Sequence, residues 1–229
     1  MSYFNFLKER YPVFFTELNG CGVFCWNGYR KIMLKDLSTA KHCLLVSFIA
    51  YHFCRYLVQF NCLREDRIKP CLIAALLHDI GKIDPGVLSI VNNGRRFTDA
   101  EKEKVQEHVL IGYRILLRYG FDSDIANIVL YHHESWDGSG YPKGLVGFEI
   151  PDLARVLRIC DSFGAIVDPT RKSYNGERVV EQAVQDIKSK AGIWYDFELS
   201  CHFCDFMSKF SPHFKEFFNC IYDQEYTTR

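Results

Sequence analysis

From residue 36 to the end of the chain, apolar residues recur at the three- and four-residue spacing of a helix face, broken only by short turns. Such stripes can be buried only by laying helices against one another, so the expected fold class is all-α. The spacing predicts a long helix over 36–61, with Leu45, Val46, Ile49, Phe53, Tyr56, Leu57 and Phe60 on one face. A second helix opens at Pro70, a favoured first-turn residue, and runs through CLIAALLHDIG until Gly81 stops it. Thr98 and Glu101 carry the capping-box signature of a third, reaching about Arg118. A fourth covers about 122–133, and a fifth opens near Pro151. Between them lies the turn-dense segment WDGSGYPKGLVG. Further helices are expected over about 176–191 and 196–221. Residues 1–35 are read as a short aromatic N-terminal appendage to a domain spanning 36–229.

The 229 residues are 48% apolar and 24% charged, the balance of a globular protein rather than a disordered or fibrous one. Lys plus Arg equals Asp plus Glu at 28 each, which disfavours duplex nucleic acid as a partner but leaves room for a local basic pocket. No apolar run approaches the length of a membrane span, and MSYFNFLKER lacks the apolar region of a signal peptide. Ten scattered cysteines are read as reduced thiols, most of them core hydrophobes, so the expected compartment is the cytoplasm. Cys201 and Cys204 form a CxxC on a late helix, and Cys21 and Cys25 a looser pair. Packing is the simpler role for both, with a four-cysteine site joining the two ends as the alternative.

A set of polar residues does not fit a plain helical core. His42 precedes Leu45, Val46 and Ile49 on one stripe, and His78 and Asp79 end an unbroken apolar run. His108 precedes Ile111 and Ile115, His132 extends the stripe of Ile125, Ile128 and Val129 with His133 beside it, and Asp161 follows Leu153 and Leu157. One inward histidine is ordinarily a hydrogen-bonded core residue, and one inward aspartate is ordinarily a cap or the partner of an arginine, here Arg155 or Arg158. Seven such residues on five helices are better explained together, because ionised carboxylates are costly to bury unless paired or bound to metal. A metal centre inside a helical bundle does this. Imidazole with carboxylate suits iron, manganese, zinc or nickel, and seven ligands with one bridging carboxylate fit two ions rather than one. His52, His202 and His213 have no such company and are read as structural.

LLHDIGK (76–82), EHVLIG (107–112), HHESWDGSGYP (132–142) and CDSFGA (160–165) resemble, in order and spacing, the HD-GYP family of cyclic-dinucleotide phosphodiesterases. The HD pair alone marks the wider HD phosphohydrolase superfamily, while the HH pair leading into DGSGYP is far more specific. The likeness spans about residues 37–200, ending in AGIWYDFEL. It implies an HD-superfamily helical bundle with a GYP loop. His42, His78, Asp79 and Asp161 would hold one metal, and Asp79 would bridge to a second held by His108, His132 and His133. The ions would be divalent or mixed-valence first-row metals, iron or manganese first, zinc or nickel next. Some members hold a third metal through a glutamate one turn before the first histidine; Ser38 stands there, so two are expected. Lys82 would reach the phosphate held between the metals, giving Lys82 and Asp79 catalytic roles, and Tyr141 would contact substrate.

This chain departs from the family in two places. Gly164 stands where the family's second acid of DxxDA is usual, and DPTRKSYN replaces a DRPYR-like stretch. Arg171, Lys172 and Tyr174 are then the expected substrate contacts, in a shifted register. The implied reaction opens cyclic di-GMP, or the mixed cyclic GMP-AMP, to the linear dinucleotide and then to mononucleotides. The alternatives are a non-catalytic cyclic-dinucleotide receptor or interaction module meeting a protein partner through the GYP loop, and an HD nucleotide phosphohydrolase acting on another phosphate ester.

Overall fold

The computed structural model describes residues 3–93, 95–169 and 179–222. They fold as helices α1 (Tyr3–Arg10), α2 (Pro12–Gly20), α3 (Val23–Lys35), α4 (Leu37–Gln59), α5 (Ile68–Leu77), α6 (Pro85–Val91), α7 (Asp99–Gln106), α8 (His108–Arg118), α9 (Ser123–Tyr131), α10 (Asp152–Val167), α11 (Val179–Ser189) and α12 (Phe197–Tyr222). Only isolated bridges, Asp137 to Val146 and Ala191 to Tyr195, stand in for β-structure among them. The all-α expectation holds, and no described helix is long and apolar enough to cross a membrane.

α4 is the axis of the molecule. Asp36 caps it, its carboxylate accepting from the Ser38 and Thr39 amides at 3.0 and 3.2 Å. Most of its length is buried, and it packs against α5, α10, α3 and α12. α5 has no polar face, because every residue from Cys71 to Leu77 is buried.

α5 begins at Ile68, two residues before Pro70, and ends at Leu77 rather than Gly81. His78 and Asp79 lie in the turn that follows, and Ile80–Ile83 form a 3-10 helix. The tighter turn carries Gly81 onto α8, where a Cβ on Gly81 would lie 1.9 Å from the His108 carbonyl oxygen. The expected third helix starts at the Thr98–Glu101 capping box but is two helices. Glu107 bonds back to the Lys104 carbonyl at 3.3 Å, a three-residue closure that ends α7 and lets α8 start afresh at His108.

Residues 3–35, expected as an appendage, form three helices whose Leu7, Phe14, Leu18, Cys25, Tyr29 and Ile32 join the same core as α4 and α12. Tyr11 and Phe14 pack edge-on against Phe217, which is stacked on Phe48 at 3.6 Å between ring centres. Gly28 lets α3 approach Leu77 and Ile80, directly behind the His78 turn.

Candidate metal centre

Five segments bring the seven inward residues to one place. His42 comes from α4, His78 and Asp79 from the turn after α5, His108 from the first turn of α8, His132 and His133 from the end of α9, and Asp161 from the middle of α10. His133 is half-buried and the other six are buried. His42 Nε2 lies 2.9 Å from Asp161 Oδ1, and His78 Nε2 lies 3.5 Å from the same oxygen. Asp79 points one oxygen each way: Oδ2 is 3.4 Å from His78 Nε2 and Oδ1 is 3.4 Å from His108 Nε2. The ligating atoms of His42, His78 and Asp161 form one close group, and those of His108, His132 and His133 another.

The backs of the rings explain their aim. Nδ1 of His78, His108 and His132 lies 2.8, 2.7 and 2.7 Å from the carbonyls of Ala75, Val105 and Val129, each three residues upstream. A carbonyl only accepts, so Nδ1 carries the proton and Nε2 keeps its lone pair for the interior. Those three Nε2 atoms and Asp79 Oδ1 are buried without a hydrogen-bond partner. Four orphaned acceptors in one buried cluster are what bound cations satisfy and what plain packing does not.

The electrostatics agree. Burial, helped by neighbouring imidazoles, drives His108 down to about 4 and His132 to about 3, and it holds His133 well below its ordinary value. Burial opposes ionisation of Asp79, but Lys82 and His78 outweigh it and hold the carboxyl well below the usual range. Asp161 is likewise held ionised against burial, by His42 and His78. His78 moves the other way, pushed up against burial by Asp79 and Cys43. The imidazoles of His108, His132 and His133, held neutral, stand with His42, His78 and two buried carboxylates as a donor set that could hold a first-row metal.

The cluster opens into a cleft of about 690 Å³. Lys82 stands at its edge, Nζ 2.6 Å from Asp79 Oδ2. Tyr141 lines the cleft too, its ring stacked on His133 at 4.8 Å and its amide donating to the His133 carbonyl at 3.2 Å. Ser38 lines the cleft, and Asp161 is paired with His42 rather than with an arginine. Arg155 is instead bound to Asp196, and Arg158 turns toward His133 and Ser135. A Cβ on Gly164 would sit 2.8 Å from Val46 Cγ2 and 3.4 Å from His42 Cε1, so a side chain there would first displace Val46 beside the His42 ring. Arg171, Lys172 and Tyr174 lie outside the described residues.

Two residues escaped the sequence reading. Glu134 is buried, and its carboxylate accepts from the Lys143 and Leu145 amides at 2.7 and 3.0 Å, tying down the GYP loop. Its signal was its place, an acid directly after the histidine pair. Arg158 shares the inward stripe of Asp161 three residues on, where the sequence suggests only a partner for that aspartate. Elsewhere, Cys201 is exposed and Cys204 half-buried, and neither they nor Cys21 and Cys25 join a metal-competent group among the described residues. His52 packs on Phe48 and Phe210, His213 stacks on Phe210, and His202 reaches Cys62 at 3.3 Å.

The HD domain family model matches residues 38–199. The chain is similar to a cyclic di-GMP phosphodiesterase of Thermotoga maritima, 41% identical over 138 residues, covering 55% of this chain and 34% of that protein. It is also similar to 3'3'-cGAMP-specific phosphodiesterase 3 of Vibrio cholerae, 34% identical over 112 residues, covering 48% of this chain and 24% of that protein. Among solved structures, a cyclic GMP-AMP specific phosphodiesterase of V. cholerae superposes with a TM-score of 0.59 at 17% identity, covering 88% of this chain and 51% of that one, which is a likeness of fold. The chain spans about a third of the length of the first curated relatives it matches, at 34%, 35% and 37%.

Proposed function

The chain belongs to the HD domain family, in its HD-GYP branch, and from that premise we propose that it is a metal-dependent phosphodiesterase that opens a cyclic dinucleotide. The observation that carries this reading is the fork of Asp79, whose two oxygens each lie 3.4 Å from a histidine of a different group. His42, His78, Asp79 and Asp161 would hold one ion, and Asp79, His108, His132 and His133 a second. Iron and manganese suit this nitrogen and oxygen set first, zinc and nickel next. Bound there, the ions would supply Lewis-acid chemistry, acidifying a water and setting positive charge against a phosphate.

The protein's own part is positioning and charge. The carbonyls of Ala75, Val105 and Val129 fix three rings with Nε2 inward. Lys82, held at the cleft edge by Asp79, meets the negative charge that grows on the phosphate oxygens during in-line attack. Tyr141, stacked on His133, closes one side of the cleft and presents its ring to substrate. Arg171, Lys172 and Tyr174 hold the substrate's second phosphate.

Cyclic di-GMP is the leading substrate, since several relatives bear that activity in their names, and the mixed cyclic GMP-AMP is the second. The test is product analysis after incubating iron- or manganese-loaded protein with both dinucleotides and with a nucleoside monophosphate. Linear dinucleotide as the first product supports the proposal. Turnover of the monophosphate alone, or binding without turnover, overturns it.

A further inference from the structure

Arg158 is a half-buried cation without an ion-pair partner among the described residues. It lies three residues before Asp161 on α10, at the edge of the cleft. Its Nη1 is 3.4 Å from His133 Nδ1 and its Nη2 is 3.5 Å from Ser135 Oγ, both at the outer limit of a hydrogen bond. Its Nε is buried without a partner, and among the described residues no carboxylate comes within ion-pair range of the guanidinium. The ring of Tyr195 lies 5.8 Å away, and the charge of Arg158 also helps, as a minor cause, to lower the Asp137 carboxyl.

Arg155, three residues earlier on the same helix, shows how a guanidinium in this region is otherwise satisfied. Its Nε donates to the Ile150 carbonyl at 3.1 Å, and its fork is bound to Asp196. Withdrawing a guanidinium from water without a counter-charge is costly, so the contrast calls for an explanation. Asp161 does not supply the missing charge, because its oxygens face His42, His78 and His133. Arg158 also lines the cleft, which would receive an anionic substrate.

We propose that Arg158 binds the reacting phosphate, as a second cation beside the cluster in addition to Lys82. Lys82 borders the cluster at Asp79, and Arg158 borders it at His133. The planar fork suits this place, because it can bond two phosphate oxygens at once where an ammonium is a point charge. The inference rests on the phosphodiester reading for its substrate but not for its chemistry, which needs only a phosphate at the cluster. It also separates Arg158 from Arg171. A residue on the reacting phosphate serves every phosphodiester, whereas one on a second phosphate serves only substrates that carry two.

The test compares Arg158→Met, which keeps an apolar stem, and Arg158→Lys with the parent protein, all loaded with manganese. Four quantities are read: kcat/KM on cyclic di-GMP, kcat/KM on bis(p-nitrophenyl) phosphate, the Kd of inorganic phosphate by calorimetry, and metal content alongside melting temperature. Arg158→Met is expected to lose about a hundredfold in kcat/KM on both esters and to bind phosphate about tenfold more weakly. Metal content and melting are expected to match the parent, and Arg158→Lys to recover part of the loss. Unchanged kcat/KM and phosphate affinity would overturn the proposal. So would losses that track metal content or melting, since these would make Arg158 a brace for His133. If the parent binds phosphate through Arg158 yet cleaves no cyclic dinucleotide, the substrate assignment falls and the role of Arg158 stands.

Discussion

Lys82 Nζ lies 2.6 Å from Asp79 Oδ2, three residues apart in the turn where α5 gives way to a 3-10 helix. The pair brings a cation to the carboxylate that stands between the two histidine groups, at the point where the cluster meets the cleft. Lys82 has one hydrogen-bond partner among the described residues, so its remaining donors are available to a phosphate.

Replacing Lys82 with Ala should therefore slow turnover about a hundredfold, near 3 kcal/mol, the size of one transition-state charge contact. Metal content, read by elemental analysis of the same preparation, should hold. If Lys82→Ala loses its metals, the lysine serves to keep Asp79 in place and has no part in the reaction.

Gly81 has no room for a side chain, with the His108 carbonyl oxygen 1.9 Å from where a Cβ would sit. Gly81→Ala should push α8 away from the His78 turn, separating Asp79 from His108. We expect a loss of about 3 kcal/mol in denaturant unfolding. A variant as stable as the parent would mean that α8 can move without cost.

His52, remote from the cluster, gives a pH signature. Burial, reinforced by Arg55 and His213, lowers its folded value to about 4 from an ordinary 6.5. Below pH 6.5 the unfolded chain takes up a proton that the folded chain refuses, so stability falls with pH down to about pH 4 and levels off below it. His52→Phe, which keeps a ring against Phe48 and Phe210, should remove about 2 kcal/mol of that decline. Parallel stability curves for the two proteins between pH 7 and pH 4 would contradict the assignment.

The long helix α4 was legible from its one clean stripe, and the start of α7 from the Thr98–Glu101 box. The inward histidines and aspartates were legible for the same reason, since a polar residue on an apolar stripe stands out. The short helices of residues 3–35 were not, because Tyr11 and Phe14 find Phe217 across some two hundred residues, a contact no local pattern encodes. The break at Glu107 was hidden too, since one helical period runs unchanged through α7 and α8 while the backbone turns to set His108 on Gly81. Arg158 was visible as a charge on an inward stripe, but its missing partner could be seen only in three dimensions.

Arg171 provides the contrast to Arg158. Arg171→Ala should raise KM for a cyclic dinucleotide about tenfold, or 1.4 kcal/mol, and leave bis(p-nitrophenyl) phosphate nearly unaffected. Equal losses on both substrates would place Arg171 in support of the fold or the metal centre.

The fork of Asp79 makes the account most directly testable through metal stoichiometry in anaerobically prepared protein. Elemental analysis should find about two first-row ions per chain in the parent, about one in His42→Ala or in His132→Ala, and none in Asp79→Ala. Retention of both ions by Asp79→Ala, or a single ion in a fully active parent, would contradict the paired centre.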